Sequence, residues 1–186
     1  MNYSATNLFH LLENLLEWSR IQQGFVSFDR KVLKLLQIVN ESLVTILESS
    51  KKKNITITCT IPRNLEIFAD SNILKTIIRN LVSNAVKFTH RGGRIVIEGS
   101  CMPDDSVKVT ISDTGIGISP TLLEDLFKLN IQTNRKGTEN EPSTGLGLII
   151  CKDFIEKQGG KIFVESEVES GSKFVFTIPS RTYVMT

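Results

Sequence analysis

The sequence predicts an α+β domain, a two-layer α/β sandwich in which a mixed sheet of about five strands carries about three helices on one face, preceded by a separate helical stub. Three observations predict it. After residue 24 the apolar positions switch repeatedly between helical spacing and strict alternation. The alternating segments bunch toward the C-terminus while the helical ones interleave unevenly, which argues for one mixed sheet rather than regular βαβ winding. Before residue 24 there is a single amphipathic stretch with nothing local to pack on.

In that first stretch Leu8, Leu11, Leu15 and Trp18 form a coiled-coil-like seam, widened by Leu12 and Leu16 as a bundle helix requires. One helix cannot bury such a stripe alone, so it calls for a partner helix or a second copy of the chain. The chain divides near Gln23-Gly24, giving pieces 1–24 and 25–186. Residues 25–28 suit a short strand. Asp29 is placed to cap a helix whose apolar positions are Val32, Leu35, Leu36, Val39, Leu43, Ile46 and Leu47. Lys51-Lys52-Lys53 then reads as a solvated loop, and 54–61 alternates with β-branched residues, as a strand does. Asp70 or Ser71 opens the next helix. Strands follow at 94–98 and 107–112. Ser119-Pro120 provides the N-cap and first residue of a short helix reaching about Leu129. Residues 129–144 are polar and aperiodic, the composition of a flexible loop. Helix resumes over 145–158 and stops at Gly159-Gly160. Two last strands, 161–167 and 173–178, are joined through Ser170-Gly171.

Composition narrows the function. With 22 Lys+Arg against 20 Asp+Glu the net charge is +2, too weak to argue for a nucleic acid or an acidic membrane surface as partner. No apolar run reaches membrane-spanning length and no signal-peptide pattern opens the chain. Cys59, Cys101 and Cys151 are odd in number and match neither a metal spacing nor a disulfide framework, as expected of reduced cysteines in a cytoplasmic setting.

The chemistry lies in three separated stretches. In "RNLVSNAVKFT" (79–89), Leu74, Ile78, Leu81, Val82 and Ala85 share one helical face, whereas Asn80, Asn84 and Lys87 form an adjacent polar stripe. Asparagine is a poor helix former, so two of them one turn apart, with a lysine on the next turn, ask for a ligand. An amide oxygen suits a hard cation, an amide nitrogen donates to phosphate, and a lysine supplies positive charge, a set that fits Mg²⁺ riding on phosphates. "SDTGIGIS" (112–119) sets Asp113 at the end of an apolar strand before Gly115 and Gly117, where a carboxylate can accept from an exocyclic amine and backbone can approach a flat ligand. "STGLGL" (143–148) sets Gly145 and Gly147 at a helix start, whose N–H groups bind phosphate. Any one stretch alone is an ordinary polar edge or tight turn. Three in order, each suited to a different part of ATP, point to an ATP site.

This set closely resembles the ATP-binding domain of sensor histidine kinases, in the superfamily shared with gyrase, the related heat-shock chaperone and the mismatch-repair ATPase. The resemblance covers about 25 to 180: "NLVSNAVKFT" is similar to the N box, "LFKL" to the F box, "DTGIG" and "TGLGL" to the two glycine boxes, and "GSKFVFTIP" to the final glycine-containing strand. It implies Asn80 and Lys87 as catalytic residues and Asn84 as the Mg²⁺ ligand. It implies an ATP site made of Asn80, Asn84, Lys87, Phe88, Asp113, Gly115, Gly117, Ile118, Lys136, Thr144, Gly145, Leu146, Gly147 and Leu148. Phe88 lies along adenine in this reading, Asp113 takes the adenine amine, Gly117 lets the base sit close, and Arg135 and Lys136 are the cations of an ATP lid spanning about 129–144. Ser143 departs from the glycine that many relatives carry.

ATPases of the superfamily usually have a water-activating glutamate where this chain has Asn80, which cannot act as a base. The resemblance therefore implies a kinase, with ATP and Mg²⁺, whose phosphoryl acceptor is a histidine on a dimerising helical hairpin. His10, followed by Leu11-Leu12, lacks the acidic neighbour of that acceptor and lies in a stretch resembling the end of the second hairpin helix; His90 lies in the loop after the N box. The implied partners are the protein's own hairpin in a homodimer and the receiver domain of a response regulator, without nucleic acid or direct membrane contact from this fragment. The parent's membrane anchoring is left open. The alternatives are an ATPase or conformational-switch module and a nucleotide-sensing pseudokinase.

Overall fold

The computed structural model describes residues 29–128, 136–141, 143 and 145–179. The expected N-terminal helix with its leucine seam and His10, the strand at 25–28, Arg135, Thr144 and most of the 129–144 loop lie outside the described residues. In chain order the elements are β1 (Arg30–Lys34), α1 (Leu35–Leu43), α2 (Leu47–Lys52), β2 (Thr56–Thr60), β3 (Glu66–Asp70), α3 (Ser71–Phe88), β4 (Arg94–Cys101), β5 (Val107–Asp113), α4 (Pro120–Leu123), α5 (Leu146–Lys157), β6 (Lys161–Glu167) and β7 (Gly171–Ile178).

Five strands form the expected mixed sheet in the order β2-β4-β5-β7-β6, parallel between β2 and β4 and antiparallel elsewhere. The alternation read from the sequence becomes rows of side chains across it. Cys59, Ile97, Ile111, Phe174 and Val164 are successive cross-strand partners and form one such row. The α1, α3 and α5 helices cover this face, and Leu35, Leu74, Ile77, Ile78, Leu81 and Phe154 are fully buried between the layers. A neighbouring row runs Ile57, Ile95, Asp113, Ser172, Ser166. Asp113 thus replaces an apolar side chain on the core face, at the end of β5.

Three expectations are corrected. The segment after Asp29 is a strand: β1 pairs antiparallel with β3, which the sequence reading missed, and Val32 is 45% exposed rather than on a helix face. The pairing is non-local and sets opposite charges across the ladder, Arg30 against Asp70 and Lys34 against Glu66. The helix therefore starts at Leu35 after Lys34, and Asp29 instead donates its backbone N–H to Asp70 Oδ2 at 3.0 Å. That helix also breaks at a turn over 44–46, separating α1 from α2. Finally, Lys53 is buried, not solvated. The expected cap of α3 is observed: the Asp70 side chain accepts from the Asn72 and Ile73 N–H groups. The cap at Ser119 is positional only, since its hydroxyl bonds Thr121 Oγ1, and α4 is a single turn.

Candidate functional site

The site is built around the C-terminal half of α3. Its buried face keys into the core, which leaves Asn80, Asn84 and Lys87 along the rim, each half-buried. Two loops meet this rim. The loop after β5 is laid backbone to backbone on the end of α3: the Ile116 N–H donates to the Phe88 carbonyl at 3.1 Å, and a Cβ at Gly115 would overlap that same oxygen. The start of α5 approaches from the other side, where the space a Cβ would take at Gly147 is bounded by Asn80 Oδ1 at 3.6 Å. The asparagine stripe and the second glycine pair, 67 positions apart by 147 minus 80, are therefore neighbours.

Asp113 is buried, and burial pushes its carboxyl up to about 6, the Gly115 and Ser172 N–H groups pulling it back. Both bonds end on Oδ1, at 2.8 Å from Gly115 and 3.3 Å from Ser172. A desolvated carboxylate on the core face, oriented through one oxygen only, is a candidate binding group. Lys87 is brought down to about 8 by burial, with the charge of Glu141 opposing the fall, and its Nζ lies 5.3 Å from the Phe88 ring centre.

Asn80 provides the test of whether phosphate fits. Its Nδ2 is buried and makes no hydrogen bond with the described residues, although a buried amide N–H normally finds an acceptor. Beneath it Cys151 is fully buried, its thiol pushed up to about 12 by burial and drawn back by the Asn80 amide. A neutral thiol is a weak acceptor, so the amide keeps donor capacity for a ligand at the α5 N-terminus. Gly145 caps that helix in the left-handed region, φ 70°.

Not every expected residue faces the site. Gly117, at φ +62°, would with any Cβ overlap the Glu167 carbonyl oxygen, so the protein's own backbone already demands glycine there. Ile118 is in the core cluster and donates its N–H to Ser166 Oγ at 2.9 Å, while Leu146 and Leu148 pack partly buried against the core. Lys136 is exposed. The sequence reading missed Lys53, whose ammonium bonds the end of α3; Gly171, the glycine of the final strand motif, has φ +97° and a Cβ there would overlap the Asp113 carbonyl oxygen. No sequence signal marks Lys53 within its run of lysines. A groove lined by Lys34, Leu36, Gln37, Asn40, Glu41 and Arg63 contains none of the motif residues. Among the described residues no cluster of histidine, cysteine and carboxylates could hold a metal, and no helix is long and apolar enough to cross a membrane.

Comparison with known proteins agrees with this fold. The profile of a family described as histidine kinase-, DNA gyrase B-, and HSP90-like ATPase matches residues 69–182. An uncharacterized sensor-like histidine kinase of Rhizobium meliloti is 30% identical over 181 residues, 97% of this chain and 34% of its own length. The adaptive-response sensory kinase SasA of Synechocystis is 32% identical over 91% of this chain and 44% of its own length. The chain thus spans well under half of these relatives. Among solved structures, the catalytic domain of histidine kinase ThkA superposes with a TM-score of 0.71 at 32% identity, over 83% of this chain and 97% of that one. The same kinase in complex with its response regulator gives 0.75 at 26% identity, over 99% of this chain and 50% of that one.

Proposed function

The chain belongs to the histidine kinase-, DNA gyrase B- and HSP90-like ATPase family, and from that premise we propose that it is the ATP-binding catalytic part of a sensor histidine kinase. It holds ATP with its γ-phosphate directed at a histidine on a hairpin helix outside this chain, for relay to an aspartate of a response-regulator receiver domain. In this reading residues 1–24 are the end of the second hairpin helix, the hairpin makes the homodimer, and the domain works in the cytoplasm. The solved complex of ThkA with its response regulator supports the receiver as partner.

The observation that carries the proposal is the buried Asn80 amide, whose nitrogen has no acceptor stronger than the Cys151 thiol and whose oxygen borders the N-terminus of α5. An amide can donate to a phosphate oxygen but cannot take a proton from water, so Asn80 binds without activating a hydrolytic nucleophile. Asp113 accepts from the adenine amine through the oxygen that Gly115 and Ser172 leave open. Phe88 offers the base an apolar face. The α5 N-terminus and Lys87 meet the phosphates, and as the γ-phosphoryl departs their positive ends balance the charge it spreads over its oxygens. Asn84 would hold Mg²⁺ through its amide oxygen, and the ion would supply positive charge that offsets part of the charge of the phosphates.

The test is transfer in trans. Incubated with ATP and Mg²⁺, the chain should carry no stable phosphohistidine and release phosphate slowly. Mixed with a separate fragment bearing the first hairpin helix, it should label that fragment's histidine, and Asn84→Ala should abolish the labelling. Acid-labile phosphate on this chain that His10→Gln removes would place the acceptor here instead. Rapid phosphate release without protein label would make the chain an ATPase.

A further inference from the structure

We infer that Lys53 is a positioning residue for Lys136: its buried ammonium fastens the segment 136–141 to the C-terminal end of α3 and so sets Lys136 beside the phosphate end of the site, a reading that rests on the nucleotide function proposed above. Lys51 and Lys52 are exposed, whereas the Lys53 side chain is only 4% exposed. A buried ammonium needs oxygens in place of its hydration shell. Lys53 Nζ donates to the Val86 carbonyl at 2.9 Å, the Lys87 carbonyl at 3.1 Å, Thr138 Oγ1 at 2.6 Å and Glu141 Oε1 at 3.0 Å. The two carbonyls close α3, where the helix dipole favours a positive charge. The hydroxyl and the carboxylate belong to 136–141. One cation is thus the shared partner of two pieces of chain that are far apart in sequence. The tie uses the Lys87 carbonyl, not its ammonium.

The segment is seated on the helix end by its backbone as well. The Thr138 N–H donates to the Lys87 carbonyl at 3.0 Å, and its hydroxyl reaches the Thr89 carbonyl at 3.0 Å. Within the segment the Gly137 N–H donates to the Glu141 carbonyl at 2.9 Å, and the Glu139 N–H to Glu141 Oε2 at 2.7 Å. A Cβ at Gly137 would lie 2.6 Å from Lys87 Cγ and 2.9 Å from the Lys87 carbonyl oxygen. The backbone that follows Lys136 therefore lies directly on the last turn of the helix that bears Asn80, Asn84 and Lys87. Lys136 is exposed, so its side chain is open to a ligand while its backbone is already placed. A second tie, Arg91 to Glu139 at 2.7 Å, is 62% and 38% exposed and is weakened by solvent, which leaves Lys53 as the buried fastening. Without Lys53 the Glu141 carboxylate would lose its cation in a half-buried place, and the segment would leave the helix. Lys136 would then have to be ordered anew when a phosphate arrived, and that loss of chain entropy weakens binding.

Calorimetry with ATP and with adenosine tests this, because adenosine uses the Asp113 pocket and brings no phosphate for Lys136 to meet. In Lys136→Ala, ATP affinity should fall about tenfold while adenosine affinity stays within about twofold. Lys53→Met should give the same split, and Lys136→Ala added to it should cost no more than about a further twofold, because a cation already out of place has little left to lose. The Thr138 amide should exchange its hydrogen at least about tenfold faster in Lys53→Met, while the amides of β5 keep their rates. Equal losses for ATP and adenosine, full additivity of the two substitutions, or an unchanged Thr138 exchange rate would mean that Lys53 only caps α3, and would overturn the inference. Should Lys53→Met not fold, Thr138→Val takes its place, since valine keeps the side-chain shape and removes the hydroxyl that joins Lys53 to the segment. A loss of ATP affinity of about threefold or more that vanishes in the Lys136→Ala background supports the inference, and no loss, or an equal loss in both backgrounds, overturns it. A wild-type chain that takes up neither ligand defeats the nucleotide reading itself. One that takes up both, with Lys136→Ala binding ATP as wild type does, leaves that reading standing and defeats this one alone.

Discussion

The two glycine pairs that flank α3 look alike in the sequence, yet Gly115 and Gly117 differ from Gly147 in what they answer to. On the Asp113 side, the glycines are required by the protein. A Cβ at Gly115 would overlap the Phe88 carbonyl oxygen, and one at Gly117 the Glu167 carbonyl oxygen. On the α5 side, a Cβ at Gly147 would meet nothing nearer than the Asn80 amide, at ordinary van der Waals distance. So the wall proposed for adenine is set in place by backbone packing before any ligand arrives. The wall proposed for phosphate keeps an open space beside an amide whose nitrogen has no acceptor stronger than a thiol. The contrast separates a preformed specificity pocket from an end that is completed only by its ligand.

The largest effect follows from that contrast. Gly117→Val puts a branched side chain at φ +62° into the β6 backbone, and should destabilise the fold by about 3–5 kcal/mol, so loss of nucleotide binding there would report unfolding rather than a blocked base. Gly147→Ala should leave the melting temperature unchanged or raise it, since alanine in a helix gains about 0.5–1 kcal/mol over glycine, while ATP affinity falls about tenfold. Thermal melts and calorimetry on the same two proteins check both halves. Equal destabilisation by the two substitutions would erase the distinction.

How far the sequence foretold this follows the range of the interactions. Elements with a local signature were legible: the Asp70 cap of α3, the alternation of β5, the helix stop at Gly159. The asparagine stripe was legible too, because two poor helix formers on one face of a long helix need a reason. What was missed is non-local. Residues 30–34 are a strand only because β3 lies beside them, and no pattern in the segment itself announces that partner. Lys53 becomes buried only because the end of α3 and the segment 136–141 converge on it. Gly117 carries the motif's glycine, but its reason is a contact with β6 fifty positions later, by 167 minus 117.

A smaller effect tests the adenine wall without disturbing its packing. In Asp113→Asn the amide oxygen is fixed by Gly115 and Ser172, whose N–H groups both point at Oδ1. The side chain cannot turn its oxygen to the ligand without abandoning them. An NH₂ group then faces the adenine amine, donor against donor, at a cost of about 1–3 kcal/mol, or about tenfold in ATP affinity. Fold stability near neutral pH should hold or rise, because a desolvated charge has been removed. Wild-type ATP affinity in this variant would end the assignment of Asp113 to adenine.

The smallest effect is a pH dependence that runs in opposite directions for binding and for stability. Asp113 is raised from its ordinary 3.8 to about 6, so between those values the folded chain holds a proton that the unfolded chain has lost. Its contribution to stability is therefore present below 3.8 and lost as pH rises through about 6. Adenine binding wants the carboxylate, so affinity should rise over the same interval. Adenosine is the ligand to measure there, since it has no phosphate of its own to titrate. At the other end Lys87 is lowered from 10.5 to about 8, and the unfolded chain holds the extra proton between them, so stability should increase with pH across that range. ATP needs the ammonium, and its affinity should decline above about 8. Binding should thus be best between the two values, where the apo domain gains nothing from either group. Asp113→Asn should flatten the acid limb for adenosine and leave the alkaline limb for ATP in place. An acid limb that survives that substitution would assign it to another group, and would uncouple the buried carboxylate from the base it is proposed to hold.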